Sequence, residues 1–140
     1  MRVHISLPVA AIDRSISFYE DLFGQAVSKQ RDDYANFRLD VPGLMLALVQ
    51  SSNRGDDAEG ARHYGIELPD PETLAAFETR AKDAGLAVRV ERQITCCYAV
   101  GDKFWATDPD GHAWEFWVRT ADAESMGSGL PPAPAKPCCG

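Results

Sequence analysis

What this chain has little of sets its limits first. Its longest apolar run, Leu44 to Val49, is far shorter than the ~20 residues a helix needs to cross a bilayer. The opening residues, MRVHISLPVA, lack the basic-then-apolar build of a secretory signal and lead straight into alternation, so a cytoplasmic protein is expected. Basic residues are few and scattered, 14 Lys and Arg against 21 Asp and Glu, and a formal charge of -7 excludes the clustered cationic surface that phosphate backbones require. Neither nucleic acid nor membrane is an expected partner. Cysteine is also sparse: the 4 present form two adjacent pairs, Cys96-Cys97 and Cys138-Cys139, without the two-residue gap of a zinc knuckle or a thioredoxin-like site. In a reducing compartment such residues are expected as thiols.

What is there fits one compact domain: 140 residues, 45% apolar and 25% charged. The chain repeats itself weakly. Leu7-Pro8, a helical stretch, Gly24 and Ala26-Val27 align at a constant offset with Leu68-Pro69, a second helical stretch, Gly85 and Ala87-Val88. In the first half RVHISL alternates as a strand, and Ile12, Ile16, Tyr19, Leu22 and Phe23 share one face of a helix that Gly24 can end. Strand-like runs follow over Ala26 to Arg31, Tyr34 to Leu39 and Leu44 to Val49, with a turn signal at Pro42-Gly43. The second half gives a strand in ARHYGIEL and a helix opened by Pro71 with Leu74, Phe77 and Ala81 as its stripe. Strands over Ala87 to Arg92, Tyr98 to Thr107 and Ala113 to Arg119 complete it. The predicted class is therefore α+β, two βαβββ modules over about 1–50 and 61–120, joined by a polar linker from Ser51 to Gly60. Residues 121–140, rich in Pro, Gly and Ser, are expected to form a flexible tail.

Side chains alternate across a strand, so each strand has two readable faces. In the first, Val3, Ile5 and Leu7 form an apolar face toward the helices and leave Arg2, His4 and Ser6 opposite. In the fifth, Tyr64, Ile66 and Leu68 leave His63, Gly65 and Glu67 opposite; in the last, Trp114, Phe116 and Val118 leave Glu115 and Trp117 opposite. A histidine alone on a polar strand face is ordinarily just solvated. Three ligand-type residues in equivalent phase, His4, His63 and Glu115, are expected instead to hold one metal as a 2-His-1-carboxylate set, an arrangement that leaves positions open and is typical of non-haem Fe(II) sites. His112 follows the turn sequence Asp108-Pro109-Asp110-Gly111, is out of phase with Glu115, and is expected at the surface. For Cys96-Cys97 two readings stand: a pair of inert buried thiols, or a chelating grip on a soft atom. Neighbours on a regular strand face opposite ways, so a grip requires a turn or loop through Thr95 to Tyr98.

The segment Asp108-Pro109-Asp110-Gly111-His112-Ala113-Trp114-Glu115 resembles the DPDG-x-x-x-E signature of the glyoxalase, bleomycin-resistance and extradiol dioxygenase superfamily, over residues 1 to about 120. Thr95-Cys96-Cys97-Tyr98-Ala99 followed by Asp102-Lys103-Phe104-Trp105 resembles its cadmium-induced and carbon-arsenic lyase branch. The resemblance implies paired βαβββ modules around a metal cavity, and an Fe(II)-dependent dioxygenase that converts methylarsenite and related organoarsenicals, aromatic ones included, to arsenite. His4, His63 and Glu115 match the family's iron ligands, and Cys96 and Cys97 its arsenic-holding pair. Lys103 is then either a solvated strand charge or a cavity cation that steadies an iron-bound superoxo anion. The strand Leu44 to Val49 lacks the acid or histidine that glyoxalase-type isomerases use as a fourth ligand. The alternatives are a cadmium- or arsenite-binding protein without turnover, and a thiol transferase of the fosfomycin-resistance type.

Overall fold

The computed structural model describes residues 1–51, 63–96 and 98–124. Two modules follow one another in the same order: β1 (Val3–Val9), α1 (Ile12–Phe23), β2 (Lys29–Arg31), β3 (Tyr34–Leu39) and β4 (Leu44–Gln50), then β5 (His63–Glu67), α2 (Pro71–Asp83), β6 (Val88–Cys96), β7 (Ala99–Thr107) and β8 (Ala113–Asp122). Each module makes one four-stranded sheet, β1-β4-β3-β2 and β5-β8-β7-β6. In both, the first strand lies parallel to the last and the other pairings are antiparallel, so the predicted βαβββ duplication is the observed architecture. The expected linker lies outside the described residues from 52 to 60 and the expected tail from 125 to 140, while β8 runs on to Asp122, two residues into the segment expected as tail.

Local chemistry sets the helix ends. Gly24 closes α1 in the left-handed region (φ 65) with its N–H donating to the Glu20 carbonyl. A Cβ at Gly24 would also stand 2.6 Å from Arg80 Nε, and Arg80 donates to the Phe23 carbonyl at 3.1 Å, so the end of α1 is fastened to α2. In α2 the Asp70 side chain accepts from the Thr73 N–H and Pro71 occupies the first turn, where its missing donor costs nothing. The observed β2 is shorter than the predicted Ala26 to Arg31, because the Val27 N–H is taken by the Glu20 carboxylate rather than by a strand partner.

The predicted apolar faces form one core shared by both modules: Leu7, Leu46 and Leu48 from the N-terminal sheet, Phe104, Trp114, Phe116 and Val118 from the C-terminal sheet, and Tyr19, Leu22, Phe23, Leu74 and Phe77 from the helices. Val3, expected in this layer, is 65% exposed; the inward face of β1 starts only at Ile5 and Leu7. Tyr19 and Phe23 of α1 meet Trp114 edge-on, at centroid distances of 6.0 and 5.6 Å, so the modules join through helix α1 and the inner side of the C-terminal sheet.

The DPDG turn completes that joint. Asp108, almost fully buried, accepts from Tyr19 Oη at 2.7 Å and from the N–H groups of Asp110 and His112. Trp114 Nε1 donates to Tyr19 Oη. Burial, and then the adjacent Asp108 charge, push the Tyr19 phenol well above its ordinary pKa, so it stays a donor. Asp110 accepts from the Ala10 N–H and from Ser15 Oγ at the start of α1. His112 is therefore not at the surface as its turn context suggests: only 8% is exposed, and its Nε2 donates to the Pro8 carbonyl at 3.0 Å. Two carboxylates folded inward draw the whole turn, and the histidine after it, into the seam between modules.

Candidate active site

The outer face of the C-terminal sheet can be read from its register, because directly opposed residues share a face. Lys103 pairs with Trp117 and Trp105 with Glu115 across β7 and β8; Gly65 pairs with Glu115, and His63 with Ala113, across β5 and β8. Ile94 pairs with Gly101 and Cys96 with Ala99 across β6 and β7. His63, Glu115, Trp117, Lys103, Trp105, Ile94 and Cys96 thus stand on one surface. A cavity of about 180 Å³ opens there, lined by Ile94, Cys96, Ala99, Gly101, Asp102, Lys103, Glu115 and Trp117.

Its electrostatic centre is Lys103. Only 5% exposed, its ammonium lies 2.9 Å from Glu115 Oε1, 3.8 Å from Glu91 Oε2 and 5.3 Å from the Trp105 ring centre. Of the two readings open for Lys103, the solvated charge is set aside: it is a buried cation paired with the carboxylate expected to bind metal. The other Glu115 oxygen lies 3.9 Å from His63 Nε2, and the His63 ring meets Trp105 edge-on at 5.4 Å. The Trp105 indole N–H, buried in this group, has no hydrogen-bond partner among the described residues.

His63 and Glu115 are thus brought together, and His4 is not. His4 sits exposed on the N-terminal sheet, opposite Met45, and among the described residues no three His, Cys, Asp or Glu side chains converge as a metal site. An imidazole nitrogen and a carboxylate oxygen at adjacent positions suit a divalent ion that takes nitrogen and oxygen donors. One copy supplies two of the three predicted donors in one place.

Cys96 lines the cavity and does not lie in the loop expected of it. Thr95 and Cys96 lie in β6, paired with Val100 and Ala99, and Tyr98 stands in a turn. Tyr98, in that turn, takes φ 62. The half-buried Cys96 faces the cavity. Cys97, Cys138 and Cys139 lie outside the described residues. Sequence reasoning missed Glu91 and Trp105. An odd separation puts Glu91 out of phase with Cys96 in an unbroken strand, and the only signal for Trp105 was its even separation from Lys103.

Behind the cavity, Arg92 pairs with the buried Glu78 of α2 at 2.5 Å and Lys82 with the same carboxylate at 2.6 Å. Burial raises the Glu78 pKa; the hydrogen bonds from Lys82 and Arg92 outweigh it and hold the carboxyl below its ordinary value.

Comparison with known proteins agrees with this fold. A family profile described as the Glyoxalase/Bleomycin resistance protein/Dioxygenase superfamily matches residues 2–116. A protein of Bacillus subtilis (strain 168) named a probable trivalent organoarsenical cleaving enzyme is 40% identical over 124 residues, 87% of this chain and 82% of that protein. The trivalent organoarsenical cleaving enzyme of Thermomonospora curvata is 40% identical over 125 residues, 89% of this chain and 82% of that one. Among solved structures, a glyoxalase/bleomycin resistance protein/dioxygenase from Alicyclobacillus acidocaldarius superposes with a TM-score of 0.71 at 20% identity, covering 85% of this chain and 91% of that one.

Proposed function

Because this chain belongs to the Glyoxalase/Bleomycin resistance protein/Dioxygenase superfamily, we propose that it is an Fe(II)-dependent dioxygenase cleaving the carbon-arsenic bond of trivalent organoarsenicals, methylarsenite and its aromatic analogues, to release arsenite. The observation that carries the reading is the shared face: a thiol of the vicinal pair, the Lys103–Glu115 ion pair and apolar walls around one cavity, with His63 at its edge. The two relatives named for organoarsenical cleavage support the substrate class.

Cys96 and Cys97 bind arsenic as a dithiolate, displacing its two hydroxyls as water and leaving the carbon substituent to point away from the sulfurs. Capture by a soft electrophile draws off the thiol protons, so no lowered thiol pKa is required. Ile94, Ala99, Gly101 and Trp117 surround the substituent with apolar surface and exclude water from it. Lys103 holds Glu115 in place and supplies fixed positive charge where oxygen is reduced. His63 and Glu115 would hold the metal together with His4 of a second copy, whose exposed position on the N-terminal sheet suits a donor presented outward. Bound Fe(II) supplies open coordination positions and the electrons that begin oxygen reduction. The overall change balances without another reductant: methylarsenous acid and dioxygen give formaldehyde and arsenous acid.

The test is turnover. Iron-loaded protein given excess methylarsenite should release several equivalents of arsenite in air and none without oxygen. Methylarsenite that stays bound in air with no arsenite released would instead indicate a cadmium- or arsenite-binding protein. Thiol transfer of the fosfomycin-resistance type would survive replacement of Cys96 and Cys97 by serine, which arsenical cleavage should not.

A further inference from the structure

Cys96 reaches the cavity only because β6 is irregular. Glu91 and Cys96 are an odd number of residues apart, and in an unbroken strand they would face opposite ways. Yet Glu91 is opposite Lys103, Ile94 opposite Gly101 and Cys96 opposite Ala99, so all three share the face of Lys103 and Glu115. Between Glu91 and Ile94 the register shifts: Arg92 and Gln93 together stand against Asp102, a one-residue bulge. Without it, the strand could present either Glu91 to Lys103 or Cys96 to the cavity, but not both.

The bulge is held from two sides. Gln93 adopts φ 51, in the left-handed region that a glutamine rarely enters. Its backbone N–H donates to Asp102 Oδ1 at 2.7 Å, and its side-chain Nε2 reaches the same oxygen at 3.3 Å. From behind, the Arg92 pair with Glu78 fixes the neighbouring bulge residue to α2. Asp102 supplies the acceptor that a displaced strand N–H would otherwise lack.

We propose that Asp102 is a positioning residue for Cys96: by accepting from Gln93 it fixes the bulge that keeps the thiol on the same face as Glu115 and Lys103. The consequence for substrate rests on the arsenical reading; the geometry of the bulge does not. One rescue is specific to this role. Deleting Gln93 removes the extra residue, lets Arg92 pair with Asp102 in a regular ladder and leaves Ile94 opposite Gly101 and Cys96 opposite Ala99, so the deletion variant needs no clamp.

The experiment compares wild type, Asp102→Ala, Asp102→Asn, and Asp102→Ala combined with deletion of Gln93, using phenylarsine oxide as probe and tryptophan fluorescence as readout. Asp102→Ala should weaken binding about tenfold. Asp102→Asn, which keeps the accepting oxygen, should stay within about twofold, and the deletion should restore most of the loss. Wild-type affinity in Asp102→Ala overturns the proposal, as does a deletion variant that remains as weak as Asp102→Ala. Amide hydrogen exchange at Gln93 gives a readout independent of arsenic: protection in wild type and Asp102→Asn, and its loss in Asp102→Ala. Should Cys96→Ser leave probe binding unchanged, the arsenical reading fails on that control. The exchange result then decides alone, and an unprotected Gln93 amide in wild type overturns the clamp.

Discussion

The two sheets share strand order, pairing directions and a helix each, yet their outer faces differ in kind. On the N-terminal sheet, the face of His4 continues through Ser6, Met45, Ala47 and Asn36 and carries no carboxylate. The same face of the C-terminal sheet carries His63, Glu115, Glu91, a buried lysine, two tryptophans and Cys96. Both sheets carry cations on this face, Arg38 and Lys29 in the first, but among the described strand residues only the second adds carboxylates and a thiol to it. A buried lysine and carboxylates are tolerated because they neutralise one another, and such a cluster is costly to keep unless it does chemistry. The N-terminal module retains one donor and otherwise supplies core, since its helix α1 packs directly behind the functional sheet.

Several substitutions would break or sharpen this contrast. The largest effect is expected from Cys96→Ser with Cys97→Ser, which should lower arsenite release at least ~100-fold while leaving iron content near that of wild type, as measured by turnover and metal analysis. Next, Lys103→Met leaves Glu115 partly buried without its cation; iron affinity and turnover should both fall about tenfold, and Lys103→Arg should recover part of each.

Stability is expected to depend on the joint between modules rather than on the cavity. Tyr19→Phe leaves Trp114 Nε1 and one Asp108 oxygen without their partner and should cost about 2 kcal/mol in chemical denaturation. The smallest effect is pH-dependent. Because the folded pKa of Glu78 lies below its unfolded value, its contribution is fully present above the ordinary glutamate pKa and is lost as pH falls through the folded value. Glu78→Gln should therefore lower the denaturation midpoint at pH 7 and matter progressively less below about pH 4.

Strand phase was legible in the sequence wherever the ladder is regular. Alternation alone put His63 and Glu115 on one face, and the structure sets their reactive atoms 3.9 Å apart. Parity failed along β6, because a bulge shifts every later side chain and nothing in Arg92-Gln93 announces one. His112 was misread because a turn sequence fixes local backbone shape, not what the turn is pressed against; the bonds of Asp108 and Asp110 to α1 and its approach span nearly the whole chain. The separation of His4 from the other two donors is of the same kind. Alternation tells which face a residue occupies, and only tertiary packing tells which sheet that face will meet.

In the proposed function a working centre combines one donor from the N-terminal sheet of one copy, His4, with two from the C-terminal sheet of another, His63 and Glu115. This claim is tested by co-refolding His4→Ala protein with Glu115→Ala protein, each expected to be inactive alone, and measuring arsenite release and bound iron. Random pairing in a two-fold dimer leaves one intact centre in each mixed dimer, so the mixture should recover roughly a quarter of wild-type activity and iron. Mixtures as inactive as the separate variants, beside an active co-refolded wild type, would contradict the claim and put His4 in a centre built within one copy.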